Sequence, residues 1–239
     1  MRTLLATFAA LLTLAGCVAT PVPPGEGAAP APAQSTPASS RVSGDQAIAN
    51  FRAAVARVEP QAESICRRRA PNLNCDFAIR VDPNRRAPPN AFQTLDRSGR
   101  PIVIFTQALI ADARNADEIA FVIGHETAHH IENHIARQRQ SAAAGAIIGG
   151  VLGSLAGASS AVTNDLSRAG ATVGARRFSK EHELEADALG TVIARAAGYD
   201  PVRGAAFFQR IPDPGDRFLG THPPNADRIA TVRRVAGGG

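Results

Sequence analysis

Residues 115–134 read NADEIAFVIGHETAHHIENH, and the fold turns on how this stretch is read. Ile119, Phe121, Val122 and Ile123 precede the polar run at helical spacing. Asn115 followed three residues on by Glu118 is a capping box, so a helix is expected to start there and to run past His134. Inside it stands His125-Glu126-Thr127-Ala128-His129, the pattern H-E-x-x-H. Residues four apart share a helical face, so both imidazoles can reach one metal ion. Glu126 lies one step round the same face, where it can take a proton from water and later pass it on. Two histidines with an open position suit catalytic zinc, which lowers the pKa of a bound water to about 7.

Such a zinc needs a third protein ligand, and the richest supply lies at Glu181-His182-Glu183-Leu184-Glu185-Ala186-Asp187. This run opens a second helix, from about Lys180 to Ala197, stopped by Gly198 and Pro201. Glu183 and Glu185 are two steps of 100° apart and cannot both face the metal, and spacing alone does not choose between them.

Working outward, Ser43 with Gln46 caps a first helix carrying Ile48, Phe51, Val55 and Val58. Pro60 is expected to end or kink it, with a further helical stretch to about Arg69. Residues 77–81 and 101–105 read as strands, with turns at 83–90 and at Ser98-Gly99. A short helix is expected from about Asn225 after the Pro-rich loop at Pro212 and Pro214. Several helices and a small sheet make an α+β domain, mainly helical.

H-E-x-x-H followed by Glu183-Leu184-Glu185-Ala186-Asp187 resembles the HtpX-like and CAAX-endoprotease-like gluzincin metallopeptidases, the forty-eighth metallopeptidase family. The resemblance implies a zincin-like domain with one Zn2+, held by His125, His129 and Glu183. It implies Glu126 as base and then acid, and Asp187 as the acceptor that orients a ligand histidine. Asn90-Ala91-Phe92 and the apolar strand 102–105 resemble the segment ahead of the active-site helix, and that strand's edge is where a polypeptide is expected to add. His222-Pro223 and Arg228 resemble the family's late H-P-x-x-x-x-R. That implies catalytic roles for His222 and Arg228, steadying the oxyanion, or a fourth metal position for His222 in a latent form. His130, His134 and His182 are not needed as ligands: His130 reads as solvent-facing or interfacial and His134 as structural. Glu181 and Glu185 read as a solvated helix face.

The amino terminus reads as an address. Arg2 supplies the positive start, the apolar run 4–14 is too short for a comfortable span, and Leu14-Ala15-Gly16-Cys17 resembles the bacterial lipoprotein cleavage box. That divides the chain into a signal peptide at 1–16, a lipidated Cys17 with a Pro/Ala-rich tether at 17–42, and a domain at 43–239. Buried acyl chains would anchor the protein to a membrane of the bacterial envelope, and Val18 favours the periplasmic face of the outer membrane. Cys66 and Cys75 are then left as a pair, and an oxidising compartment favours their disulfide.

The net charge is +5, and nearly every cation is Arg, since Lys180 is the sole lysine. No Arg cluster is interleaved with aromatics, so nucleic acid is not an expected partner. Residues 141–163 carry no charge, and Gly145, Gly149, Gly153 and Gly157 recur every four. This small-xxx-small pattern suits close helix packing, as a packed helix or hairpin, a flap over the cleft or a shallow membrane contact. A single crossing is excluded, because it would put His125 and Glu183 on opposite sides of the bilayer. The reading is a zinc metalloendopeptidase acting on unfolded or misassembled envelope proteins. Its rivals are an assembly factor or chaperone with a latent site and a structural membrane lipoprotein.

Overall fold

The computed structural model describes residues 42–177, 179–213 and 223–238. The expected signal peptide, the expected lipidation site Cys17, most of the expected tether and His222 therefore lie outside the described residues. The fold is α+β: helices packed around one long core, with a three-stranded sheet.

α1 (Gly44–Arg69) is one helix, capped by the Ser43 hydroxyl, which accepts from the Gln46 N–H at 3.2 Å. Pro60 neither ends nor divides it. Ala54, Val58, Ala62 and Ile65 are buried on both sides of the proline, so packing outweighs the lost backbone hydrogen bond. The buried stripe is built mainly of small residues, and Ile48 stays exposed. Cys66 in the last turn is disulfide-bonded to Cys75, with a Cα–Cα separation of 5.7 Å.

Three strands follow: β1 (Ala78–Val81), β2 (Ala91–Leu95) and β3 (Pro101–Phe105), in the order β1-β3-β2. β1 runs parallel to β3 and β2 antiparallel, with Phe92 opposite Ile104. The Asp96 carboxylate accepts from the Ser98 and Arg100 N–H groups, and Gly99 at φ +82° completes the turn between β2 and β3. β2 is a strand that the sequence did not announce, since its burial alternates weakly and it lies beside Pro-rich turns. The strand 102–105 is central and has no free edge, so the edge on that side of the sheet belongs to β2.

After the short α2 (Gln107–Asp112) comes α3 (Ala116–Ile131), the axis of the core. The Asn115 side chain caps it, accepting from the Glu118 N–H at 3.0 Å. The buried Glu118 carboxylate also takes the Arg210 guanidinium in a pair of bonds of 2.6 and 2.8 Å. α3 does not run past His134. It stops at Ile131, Asn133 turns the chain at φ +57°, and α4 (His134–Leu155) starts in a new direction. Asn reaches the left-handed region at lower cost than other non-glycine residues.

α4 forms a hairpin with α5 (Ser160–Arg177), so the uncharged stretch is a helical hairpin. Its glycines set the spacing: a Cβ on Gly145 would lie 2.0 Å from the Gly170 carbonyl oxygen. α6 (Ser179–Ala196) then packs on α3 with backbone in contact with backbone, where a Cβ on Gly124 would lie 2.7 Å from the Gly190 carbonyl oxygen. Past Gly198 (φ +80°) come α7 (Pro201–Ala205), a 3-10 turn at Ala206–Gln209 and α8 (Asn225–Ala236). α8 packs on α6, and its Val232 joins a small cluster with Phe121 of α3, Ala205 and Phe208. Among the described residues no helix is long and apolar enough to cross a membrane.

Candidate active site

α3 presents His125 and His129 on one face, with their Nε2 atoms 3.0 Å apart. The Gly124–Gly190 contact brings α6 close enough for Glu183 to join them. Its carboxylate oxygens lie 3.6 Å from His125 Nε2 and 3.4 Å from His129 Nε2. These three side chains could hold one metal ion. Ligands about 2.0–2.1 Å from a tetrahedral zinc lie roughly 3.3–3.4 Å from one another, so donor types and spacing both fit zinc. Glu185 faces elsewhere and does not compete.

Hydrogen bonds prepare both imidazoles. The fully buried Asp187 stands 2.9 Å from His125 Nδ1, so that nitrogen carries the proton and Nε2 is left with its lone pair. Burial disfavours a charged His125, but the bond to Asp187 and its charge outweigh burial and raise the pKa. His129 is held well below the usual imidazole range by burial and by its proximity to His125. Its Nδ1 is 2.8 Å from His134 Nδ1, and His134 Nε2 is 3.0 Å from Glu185 Oε2. A carboxylate accepts only, so His134 donates from Nε2 and accepts at Nδ1 from the His129 N–H. His129 Nε2 is thereby left free for a metal. Burial pushes the His134 pKa down to about 4, consistent with this neutral relay. Arg137 holds Glu185 from the far side at 2.5 Å, and His182 stacks on His134 at 4.4 Å.

Sequence reasoning missed this relay. His134 is five residues past His129, off its face on a continuous helix, and only the turn at Asn133 returns it. Glu185 is accordingly a partner of His134 and Arg137 and not simply a solvated face. His130 is not solvent-facing: it is buried, 2.8 Å from the Asn74 carbonyl oxygen and edge-on to Phe77.

Glu126 faces the cleft beside the metal-binding trio. Burial raises its pKa, as does Glu183, while the charge of His125 and the Gln93 backbone N–H of β2 act the other way. Arg228 from α8 is buried, with Nε and Nη2 each 2.7 Å from an Asp187 oxygen. Its Nη2 is also 3.5 Å from Glu183 Oε2, and its guanidinium lies 3.9 Å from the centre of the Phe208 ring. A cleft of about 830 Å³ opens over these groups, walled on one side by Asn90 and residues 91–93 of β2 and on the other by Phe207, Phe208 and Arg210.

Two helices meeting at a pair of glycines, with imidazoles and a glutamate on one and an acidic ligand on the other beside a sheet edge, describe a zincin-like metallopeptidase. The chain belongs to Peptidase family M48, whose family model matches residues 56–236, a span that includes α3, α6 and α8. A comparison with curated proteins finds no match.

Proposed function

We propose that this member of the family is a zinc-dependent endopeptidase of a bacterial cell envelope, acting on unfolded or misassembled envelope proteins. The convergence of His125, His129 and Glu183 beside Glu126, facing the edge strand β2, carries the peptidase reading. Zinc bound there would supply Lewis acidity and a more acidic water. Every other part falls to the chain itself. An extended polypeptide adds to the β2 edge and lies across the cleft. Glu126 accepts the proton of the attacking water and returns it to the leaving amine, and its raised pKa suits both transfers. Asp187 and His134 keep the imidazoles in the ligating tautomer. Arg228 is engaged by Asp187 and Glu183, so the geometry favours it as the clamp on those carboxylates, while the resemblance of His222-Pro223 to the family's late motif supports His222 at the oxyanion. The leader ending in Leu14-Ala15-Gly16-Cys17 supports lipid anchoring, and the Cys66–Cys75 disulfide fits an oxidising compartment.

The test is metal analysis of the purified chain with a casein cleavage assay, run beside Glu126→Gln. One zinc per chain, with cleavage abolished in the variant, is the expected result. Absence of zinc, or cleavage undiminished in Glu126→Gln, overturns the reading.

A further inference from the structure

The α4–α5 hairpin packs chiefly on itself, with few contacts to α3 and α6, the helices that adjoin its base in the chain. Glycines occupy the seam between the two helices, which turns the larger side chains outward. On α4, Ile147, Ile148, Val151, Leu152 and Leu155 are all exposed, Leu155 to 81%. On α5, Val162, Leu166 and Val173 are exposed beside the seam. In water this is an unfavourable arrangement: a contiguous aliphatic surface of this kind is otherwise covered.

Charge shows where the covering begins and ends. No charged residue lies between Arg139 and Asp165. Gly149 is level with Leu166 across the seam, and beyond this level the two helices carry one charge, Asp165, a single residue further on. The exposed ion pair Asp165–Arg168 marks the rim. From Gly149 to the end of α4 at Leu155 is a rise of roughly 9 Å. That matches the depth to which an apolar helical element enters the headgroup and acyl boundary, and it falls short of the about 30 Å needed to cross. Below the rim the hairpin is basic, with Arg139, Arg168 and Arg176 against Asp165, Arg137 being engaged by Glu185. The tip has no aromatic residue and no charge, whereas anchors in protein interfaces are typically Trp, Tyr and Arg.

We propose that the tip of the α4–α5 hairpin inserts into one leaflet of an anionic lipid bilayer, with the arginines of its flank lying at the headgroups. This contact is separate from any lipid on Cys17 and does not rest on the peptidase reading.

The test uses the full chain carrying Cys17→Ser, which removes acylation, and Leu155→Cys labelled with an environment-sensitive dye. Arg85→Cys, exposed on the loop before β2, is the control label. Vesicles of phosphatidylcholine with phosphatidylglycerol are compared with phosphatidylcholine alone, using lipids brominated on the acyl chain as quenchers. The Leu155 label should shift to the blue and be quenched, more strongly on the anionic vesicles, while the Arg85 label stays in water. Ile148→Asp with Leu152→Asp should weaken this response about a hundredfold. A Leu155 label that stays water-exposed with vesicles overturns the proposal. So does a label that becomes shielded without lipid as protein concentration rises, which would make a second copy the occupant. Casein cleavage in solution, measured on the same samples, reports the peptidase reading independently.

Discussion

Gly190→Ala tests the contact on which the site depends. An added Cβ would lie 2.8 Å from His125 N and 3.0 Å from both Gly124 C and His125 Cα. Ordinary contact begins near 3.4 Å, so α3 and α6 must part by 3.4 − 2.8 = 0.6 Å. The obstacle is backbone on a central helix and cannot swing aside. Overpacking of this kind costs about 1–3 kcal/mol, and the better helix propensity of Ala returns about 1 kcal/mol. Net stability should therefore fall by only about 0–2 kcal/mol. The site has less tolerance. The 2.9 Å contact from Asp187 to His125 would stretch towards the limit of a hydrogen bond, and Glu183 would retreat from the imidazoles. Displacements of this size cost roughly tenfold to a hundredfold in metal affinity or rate. The assay is zinc affinity by chelator competition, with kcat/KM on casein-derived peptides and a thermal melt. Gly150→Ala is the control, because its Cβ would meet only the Ser167 hydroxyl at 3.1 Å. Parent-level zinc affinity and kcat/KM in a folded Gly190→Ala protein would refute the reasoning.

Other outcomes follow from the same geometry. His134→Ala removes the acceptor at His129 Nδ1 and should lower zinc affinity about 10–100-fold, with a smaller effect from His182→Ala, which loses only the stacking partner. Glu118→Ala leaves Arg210 without its buried carboxylate and should cost about 3 kcal/mol in urea unfolding with little change in zinc affinity. Cys66→Ser with Cys75→Ser opens a loop with a sequence separation of 9, and loop entropy sets the loss near 2.5 kcal/mol, readable as a lower urea midpoint. Chelation of bound zinc should destabilise the fold by about 3–4 kcal/mol when free zinc had stood at 100–1,000 times its dissociation constant, seen as a lower Tm.

Local chemistry made much of this protein readable from sequence. Asn115 capping Glu118, two histidines four apart and Gly198 before Pro201 involve partners within a turn of one another, so composition and spacing suffice to place α3, its imidazoles and the end of α6. The cysteine pair was readable for the same reason, being close in the chain with few alternatives. What sequence could not decide depends on partners far apart along the chain. Helical periodicity gives Glu183 and Glu185 equal standing, and the resemblance alone chose between them. The structure separates them physically: the glycine contact between α3 and α6 sets the rotation of α6, turning Glu183 to the imidazoles and Glu185 to His134 and Arg137. β2 becomes a strand because β3 pairs with it, and that pairing moves the free edge to the cleft. A single left-handed residue, Asn133, brings His134 back onto His129. Sequence by itself determined that His125, Glu126 and His129 stand together on one helix, because their identity and helical spacing are local. Tertiary structure alone decided how those groups are aimed, because aim is set by backbone contact between helices about sixty residues apart.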